Sequence, residues 1–194
     1  MRTVFVDVDT QLDFLFPAGA LYVPGAERIL PAVASLNRHA AARGIALLST
    51  VDTHAEDDPE FAAWPPHCVA GTLGQRKPAA TLLEKSVVIP NRDMTAALED
   101  AGQYIVEKQT IDVFETKTVR GLLDALRADR YVVYGVVTEI CVLHAVRGLL
   151  APGKQVVAVA GAIQALSAEK AAQALDEIRS LGGSVAGLGE VLAG

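Results

Sequence analysis

Several things are scarce in this chain. It has two cysteines, two methionines and one tryptophan in 194 residues, and aromatic residues make up 5%. Cys68 and Cys141 have no secretory context, so no disulfide is expected and the cytoplasm is the expected compartment. No apolar run approaches the roughly 20 residues that span a bilayer. The first one, "TVFVDV", begins right after Met1-Arg2 and is broken by Asp7 and Asp9, which reads as a strand rather than a signal peptide. Positive charge is scarce too. Lys and Arg number 17 against 23 Asp and Glu, the net charge is −6, and no block of like charge occurs. Nucleic acids and anionic membranes call for basic patches, so neither is an expected partner.

What the chain has is aliphatic bulk. Hydrophobic residues make up 51%. The length suits one domain, residues 1–194, with a large core. So apolar a chain is also expected to bury surface in a homo-oligomer. Strand-like runs lie at 3–8, 45–50, 104–108, 131–137, 155–160 and 184–187. Helical stretches fit between them near 26–43, 117–128, 139–150 and 168–180. Alternation of this kind predicts an α/β fold: a doubly wound, mostly parallel six-stranded sheet of Rossmann-like form, with helices on both faces. Ligands in such sheets sit at the carboxyl ends of the strands.

Residues 52–103 break the rhythm and read as a long functional loop. "TLLEKSVVI" (81–89) fits an extra extended segment and "DMTAALEDA" (93–101) a short helix. The tail "GGSVAGLGEVLAG" reads beyond its strand as turns.

Chemistry-bearing residues fall at four successive strand ends. Asp9 and Asp13 follow the first, Asp52 and His54 the second, Lys108 ends the third, and Cys141 follows the fourth. Cys141 at a helix start near a lysine suits a reactive thiolate, although a lone cysteine also suits a small core residue. Asp9 could exchange a proton with it, or merely cap a turn. Lys108 is costly at an apolar strand end unless paired, or snorkels to the surface. "DTH", Glu60 and His67 of "WPPHC" form a mixed N/O set suited to Zn²⁺, Mn²⁺ or Fe²⁺. Cys68 reads as a structural thiol and His39 as surface. His144 shares a helix face with Cys141, a rival Cys–His dyad. It lies in an apolar helix, with no carboxylate evident in sequence to orient it.

These segments resemble the isochorismatase-like cysteine hydrolases, and most closely their nicotinamidase/pyrazinamidase branch. "DTQLDF" is similar to the family's Asp-x-Gln-x-Asp-Phe segment, "VEKQTIDVF" to its lysine segment, "GVVTEICV" to its nucleophile motif, and "WPPHCVAGT" to a stretch specific to the branch. The resemblance implies a catalytic set of Asp9, Lys108 and Cys141. It implies a cis peptide at Val136–Val137 and an oxyanion hole from the N–H groups of Val137 and Cys141. Phe14 and Trp64 would line the substrate pocket. Asp52, His54 and His67 would hold one divalent metal, zinc or else manganese or iron. Relatives carry a second histidine between the Asp-x-His pair and the Trp-Pro segment. Here only Glu60 lies suitably near. The implied activity is release of ammonia from a small carboxamide, nicotinamide to nicotinate, in NAD salvage. The rivals are a metal-free relative acting on another amide, ureido or vinyl-ether substrate, and a catalytically silent α/β binding module.

Overall fold

The computed structural model describes residues 1–92 and 101–194. The helix expected at 93–101 falls largely on residues 93–100, outside that range. Seven parallel strands form one sheet: β1 (Thr3–Val8), β2 (Ala46–Asp52), β3 (Ser86–Ile89), β4 (Gln103–Lys108), β5 (Arg130–Val136), β6 (Gln155–Gln164) and β7 (Ser184–Gly187). Their order is β3-β4-β2-β1-β5-β6-β7. The chain winds out from β1 in both directions, so β1 lies at the switch point where ligands bind.

Strand β3 is the addition to the six strands expected. It is the extended segment anticipated in 81–89, paired at the sheet edge with β4. Its residues alternate between exposed and covered, so this short edge strand is buried on one face only, through Val87 and Ile89.

Helices cover both faces. Val6, Val133 and Val106 pack under α3 (Val119–Leu126), α4 (Leu143–Leu149) and α5 (Ala168–Ser180) through Leu122, Val146 and Ile178. Phe5, Leu47 and Val132 pack on the other face under α1 (Leu12–Leu15), α2 (Leu30–Ala42) and α6 (Leu188–Ala193) through Leu15, Leu36 and Val191. The stretch predicted as one helix from 26 to 43 is a 3₁₀ turn, Ala26–Ile29, that runs into α2. Pro31 in its first turn suits the start of an α-helix.

Helix α6 replaces the turns expected in the tail. Glu190 reaches back to accept the Gly187 N–H at 2.7 Å, and Val191 enters the core beside α2. A capping acid and one apolar stripe outweigh the glycine content here.

The 52–103 segment is not structureless. It holds 3₁₀ turns at Pro59–Ala62 and Ala79–Thr81, strand β3, and a return to the sheet at residues 67–70. That return pairs Val69 with His54: the His54 N–H donates to Cys68 O at 3.1 Å, and the Ala70 N–H to His54 O at 2.9 Å.

Candidate active site

Strands β1, β2, β4 and β5 deliver their carboxyl ends to one point. Asp9 leaves β1 in the left-handed region, φ 50°, which a non-glycine residue adopts at a cost. Thr50 of β2 holds it there. The Asp9 N–H donates to Thr50 O at 3.1 Å, and Thr50 Oγ1 donates to Asp9 Oδ1 at 2.5 Å. At the end of β5, Gly135 has φ +122° and a Cβ would fall 2.0 Å from Val8 O, so only glycine fits. The Val136–Val137 peptide that follows is cis, as the resemblance implied. A π-helical turn, Thr138–Val142, then carries Cys141.

Lys108 sits at the centre, 1% exposed. Its Nζ lies 2.9 Å from Asp9 Oδ2, in contact with Asp52 Oδ1, and 3.9 Å from Cys141 Sγ. It also donates to Thr110 O at 3.0 Å. Asp9, 2.9 Å from the same ammonium, is among the groups that raise the thiol's pKa. Burial opposes the charge on Lys108, but Asp52 and Asp9 hold the ammonium well above the ordinary lysine value. Burial pushes the Cys141 thiol well up, with Lys108 pulling the other way. Burial also raises Asp9, again against Lys108. The resting site therefore keeps the proton on sulfur, beside a carboxyl with raised affinity for it. Asp52 differs. Burial favours its neutral form, yet Lys108 and His67 outweigh it and lower its pKa.

Asp52, His54 and His67 form a buried group whose ligand atoms lie within 4.8 Å of one another. Asp52 Oδ2 is 4.0 Å from His54 Nε2 and 3.6 Å from His67 Nε2. Each ring's far nitrogen faces an oxygen. His54 Nδ1 lies 3.1 Å from Asp58 Oδ2, and His67 Nδ1 is 2.8 Å from Pro65 O. Such partners fix which nitrogen points at a metal. Both nitrogens of His54 are buried without a hydrogen bond, and Nε2 is the one turned towards Asp52. An orphaned imidazole nitrogen aimed at a carboxylate and a second histidine fits a divalent ion. Glu60 stands outside this group of three but lines the adjoining cavity, with a buried, unpartnered Oε2. Burial, then Asp52, raises its pKa.

A cavity of about 70 Å³ opens beside the thiol. Cys141, Val137, Asp52, Glu60 and His67 line it, together with Phe14 and Trp64. Lys108 is not on that wall but contacts Asp52 and lies 3.9 Å from Cys141, which are, and Asp9 pairs with Lys108 behind it. The His144 reading changes in one respect: Asp112 does lie 3.7 Å from its Nδ1, on the loop after β4. Both side chains are 29% exposed, and His144 is absent from the cavity wall among the described residues. Cys68 is fully buried and its thiol is pushed up by burial, as a structural cysteine should be.

The supporting roles of several residues escaped the sequence reading. Gln11 clamps Asp52 from both sides: its Oε1 accepts the Asp52 N–H at 2.7 Å and its Nε2 donates to Asp52 O at 2.8 Å. Asp13 accepts the Cys68 N–H at 2.7 Å, which fixes the residue after His67. Gly74 leaves room for that carboxylate, since a Cβ would come within 2.2 Å of it. Phe61 packs its ring 5.2 Å from His54 and 5.9 Å from His67. Asp58 was visible in sequence only as one acid in "EDDPE". Gln11, Asp13 and Gly74 act on partners more than 40 positions away, whereas Phe61 stands within seven of both histidines.

The fold resembles known structures along its whole length. A pyrazinamidase/nicotinamidase from Streptococcus mutans UA159 superimposes with a TM-score of 0.79 at 25% identity, covering 95% of this chain and 100% of that one. The pyrazinamidase of Pyrococcus horikoshii, in complex with zinc, gives 0.79 at 26% identity, covering 96% and 99%. An N-carbamoylsarcosine amidase from Thermoplasma acidophilum shares the fold, with a TM-score of 0.76 at 22% identity and 97% of each chain covered. No curated protein sequence matches. The model of the isochorismatase domain matches residues 3–190, and with nearly every residue inside that match, the chain belongs to the isochorismatase family.

Proposed function

We propose that this chain, acting as one domain, is a metal-assisted cysteine amidohydrolase that releases ammonia from a small neutral carboxamide, with nicotinamide the best-fitting substrate. One observation carries the proposal: a single buried ammonium, Lys108, joins Asp9, Asp52 and Cys141 at the edge of one cavity. A silent binding module has no need to bury a lysine, two acids and a thiol together, which is costly unless the groups are paired and used.

In the proposed reaction, Cys141 gives its proton to Asp9 as Sγ adds to the carbonyl carbon. The N–H groups of Val137 and Cys141 hold the oxyanion. Asp9 returns the proton to the departing nitrogen, and ammonia leaves a thioester on Cys141. Water, deprotonated by Asp9, then cleaves the thioester to the free acid and thiol. Lys108 keeps its charge throughout and offsets the negative charge that moves between Asp9 and sulfur. Asp52, His54 and His67 would hold a divalent ion, with Glu60 or water beside them. When bound, that ion supplies a Lewis-acid contact that orients a ring nitrogen. Phe14 and Trp64 would sandwich the ring.

The cavity favours a neutral substrate over a carboxylate-bearing one. Its wall holds Asp52 and Glu60 but no lysine or arginine among the described residues. A carbamoyl amino acid would place its carboxylate near two acids with no fixed cationic side chain to receive it. A role in NAD salvage in the cytoplasm follows from the same substrate. The test is ammonia release by zinc- or manganese-loaded protein from nicotinamide, other small carboxamides and N-carbamoyl amino acids. Fastest turnover of a neutral aromatic carboxamide is expected. Preference for the carbamoyl acids, or no ammonia from any of them, would overturn the proposal.

A further inference from the structure

A second buried lysine lies outside this chemistry. Lys77, in the segment before β3, is 7% exposed. Its Nζ is 2.9 Å from Asp7 Oδ2 and donates to Thr10 Oγ1 at 2.5 Å. Thr10 in turn donates to Asp7 Oδ1 at 2.7 Å. Asp7 points to the α2 face of the sheet, where Asn37 Nδ2 donates to Oδ2 at 3.1 Å. Asn37 also donates to Thr81 O at 2.7 Å and accepts from Tyr134 OH at 2.6 Å. A strand interior normally spends such positions on aliphatic residues. A satisfied polar network here gives up hydrophobic burial for fixed geometry.

What it fixes is the turn between Asp9 and Gln11. Thr10 is the residue between them, and the segment ending in Lys77 runs along the same turn. Gln11 Nε2 donates to Gln75 O at 2.7 Å, the Leu12 N–H to Arg76 O at 2.9 Å, and the Asp13 N–H to Gly74 O at 3.1 Å. Gln75 Nε2 reaches Thr53 Oγ1 at 3.1 Å, next to Asp52. The catalytic-acid turn and the Asp52 clamp therefore share one anchor below the sheet's end. A left-handed Asp9 persists only where its surroundings over-determine it.

We infer that Lys77, paired with Asp7 and bound to Thr10, is a positioning residue that holds the Asp9 turn and, through Gln11, the backbone of Asp52. It touches neither the thiol nor the cavity. The inference builds on the proposed amidohydrolase reading, but its decisive measurement needs neither substrate nor metal.

The test compares Lys77→Met with Lys77→Arg, Thr10→Val and Tyr134→Phe. Thr10→Val keeps the Asp7–Lys77 pair and cuts only the link to the turn. Tyr134→Phe loosens the far end of the same network and serves as the structural control. Alkylation of Cys141 by iodoacetamide at pH 7, followed on its peptide, reports the hold of Asp9 on the thiol proton. Lys77→Met and Thr10→Val should speed it by about fivefold or more, because the charge of a well-placed Asp9 favours the protonated thiol. Lys77→Arg should restore most of the parent rate. Zinc affinity in chelator competition should weaken by about 10–100-fold, as when the support of a ligand is removed. Tyr134→Phe should lower the melting temperature and leave both readings unchanged. Should Lys77→Met fail to fold, Thr10→Val decides. Parent-like alkylation in the folded Lys77→Met or Thr10→Val protein overturns the inference, as does an equal effect from Tyr134→Phe. A parent protein that releases no ammonia and binds no zinc would sink the amidohydrolase reading, while the alkylation comparison still decides the role of Lys77.

Discussion

Replacing Lys108 with methionine tests the electrostatic core of the site. The side chain fills the same space, so the change is mainly one of charge. Lys108 Nζ contacts both Asp9 and Asp52, at 1% and 6% side-chain exposure respectively. Removing it leaves two carboxylates in a buried pocket with no common counter-charge. Breaking a buried pair by deleting one partner typically costs about 3–5 kcal/mol. At about 1.4 kcal/mol per decade, that is roughly two to four powers of ten in the folded-to-unfolded ratio. The loss should depend on pH in a definite direction. Burial already raises Asp9, and Lys108 is what opposes the rise. Without it the folded carboxyl climbs further, so the folded state binds a proton that the unfolded chain releases above about pH 3.9. Stability of the variant therefore increases as pH falls, relative to the parent, because the folded state binds more protons. Urea unfolding at pH 8 and pH 5 should show the deficit shrinking on acidification. Iodoacetamide labelling of Cys141 should slow, since Lys108 is the group that lowers the thiol's pKa. Equal stability of variant and parent at pH 8, or a deficit that grows towards pH 5, would refute the arrangement of charges described.

Two further outcomes are expected. Asp9→Asn should cut turnover by about 10²–10⁴-fold through loss of the acid–base step; the same variant should alkylate faster at neutral pH, because the charge of Asp9 raises the Cys141 pKa. Slower alkylation would mean that Asp9 activates the resting thiol instead of holding its proton in place. Asp58→Ala removes the oxygen 3.1 Å from His54 Nδ1 and should weaken zinc binding by about 10–100-fold, beside a modest loss of stability because Asp58 Oδ1 also accepts the Glu60 N–H at 3.0 Å; unchanged affinity in chelator competition would exclude that support role.

Six of the strands, their parallel direction and the convergence of four strand ends were legible because each is a local pattern read against one topological rule. β1 and β5 are near-continuous apolar runs, and a buried parallel strand must be. β3 was harder to read, because an edge strand with half its residues exposed carries little periodic signal. α6 was missed because its capping acid, Glu190, outweighs glycines that argue for turns. Within the site, Asp9, Lys108 and Cys141 stand at strand ends and could be picked out. Gln11, Asp58 and Lys77 could not. Gln11 and Lys77 take their roles from partners 41 and 67 positions away that only the folded chain brings close, and Asp58, four residues from His54, from a ring direction that the sequence does not give. His144 shows the converse limit: the carboxylate facing it, Asp112, is 32 positions away and in another element.

The central claim is that Cys141, and not the other buried thiol, carries the reaction. It is tested most directly by ammonia release from nicotinamide with the metal-loaded parent, Cys141→Ala and Cys68→Ala side by side. Cys141 lines the cavity 3.9 Å from the Lys108 ammonium, whereas Cys68 is fully buried away from its wall. Turnover by the parent and by Cys68→Ala, with none above background from a folded Cys141→Ala protein, is the predicted result. Continued turnover by Cys141→Ala would contradict it.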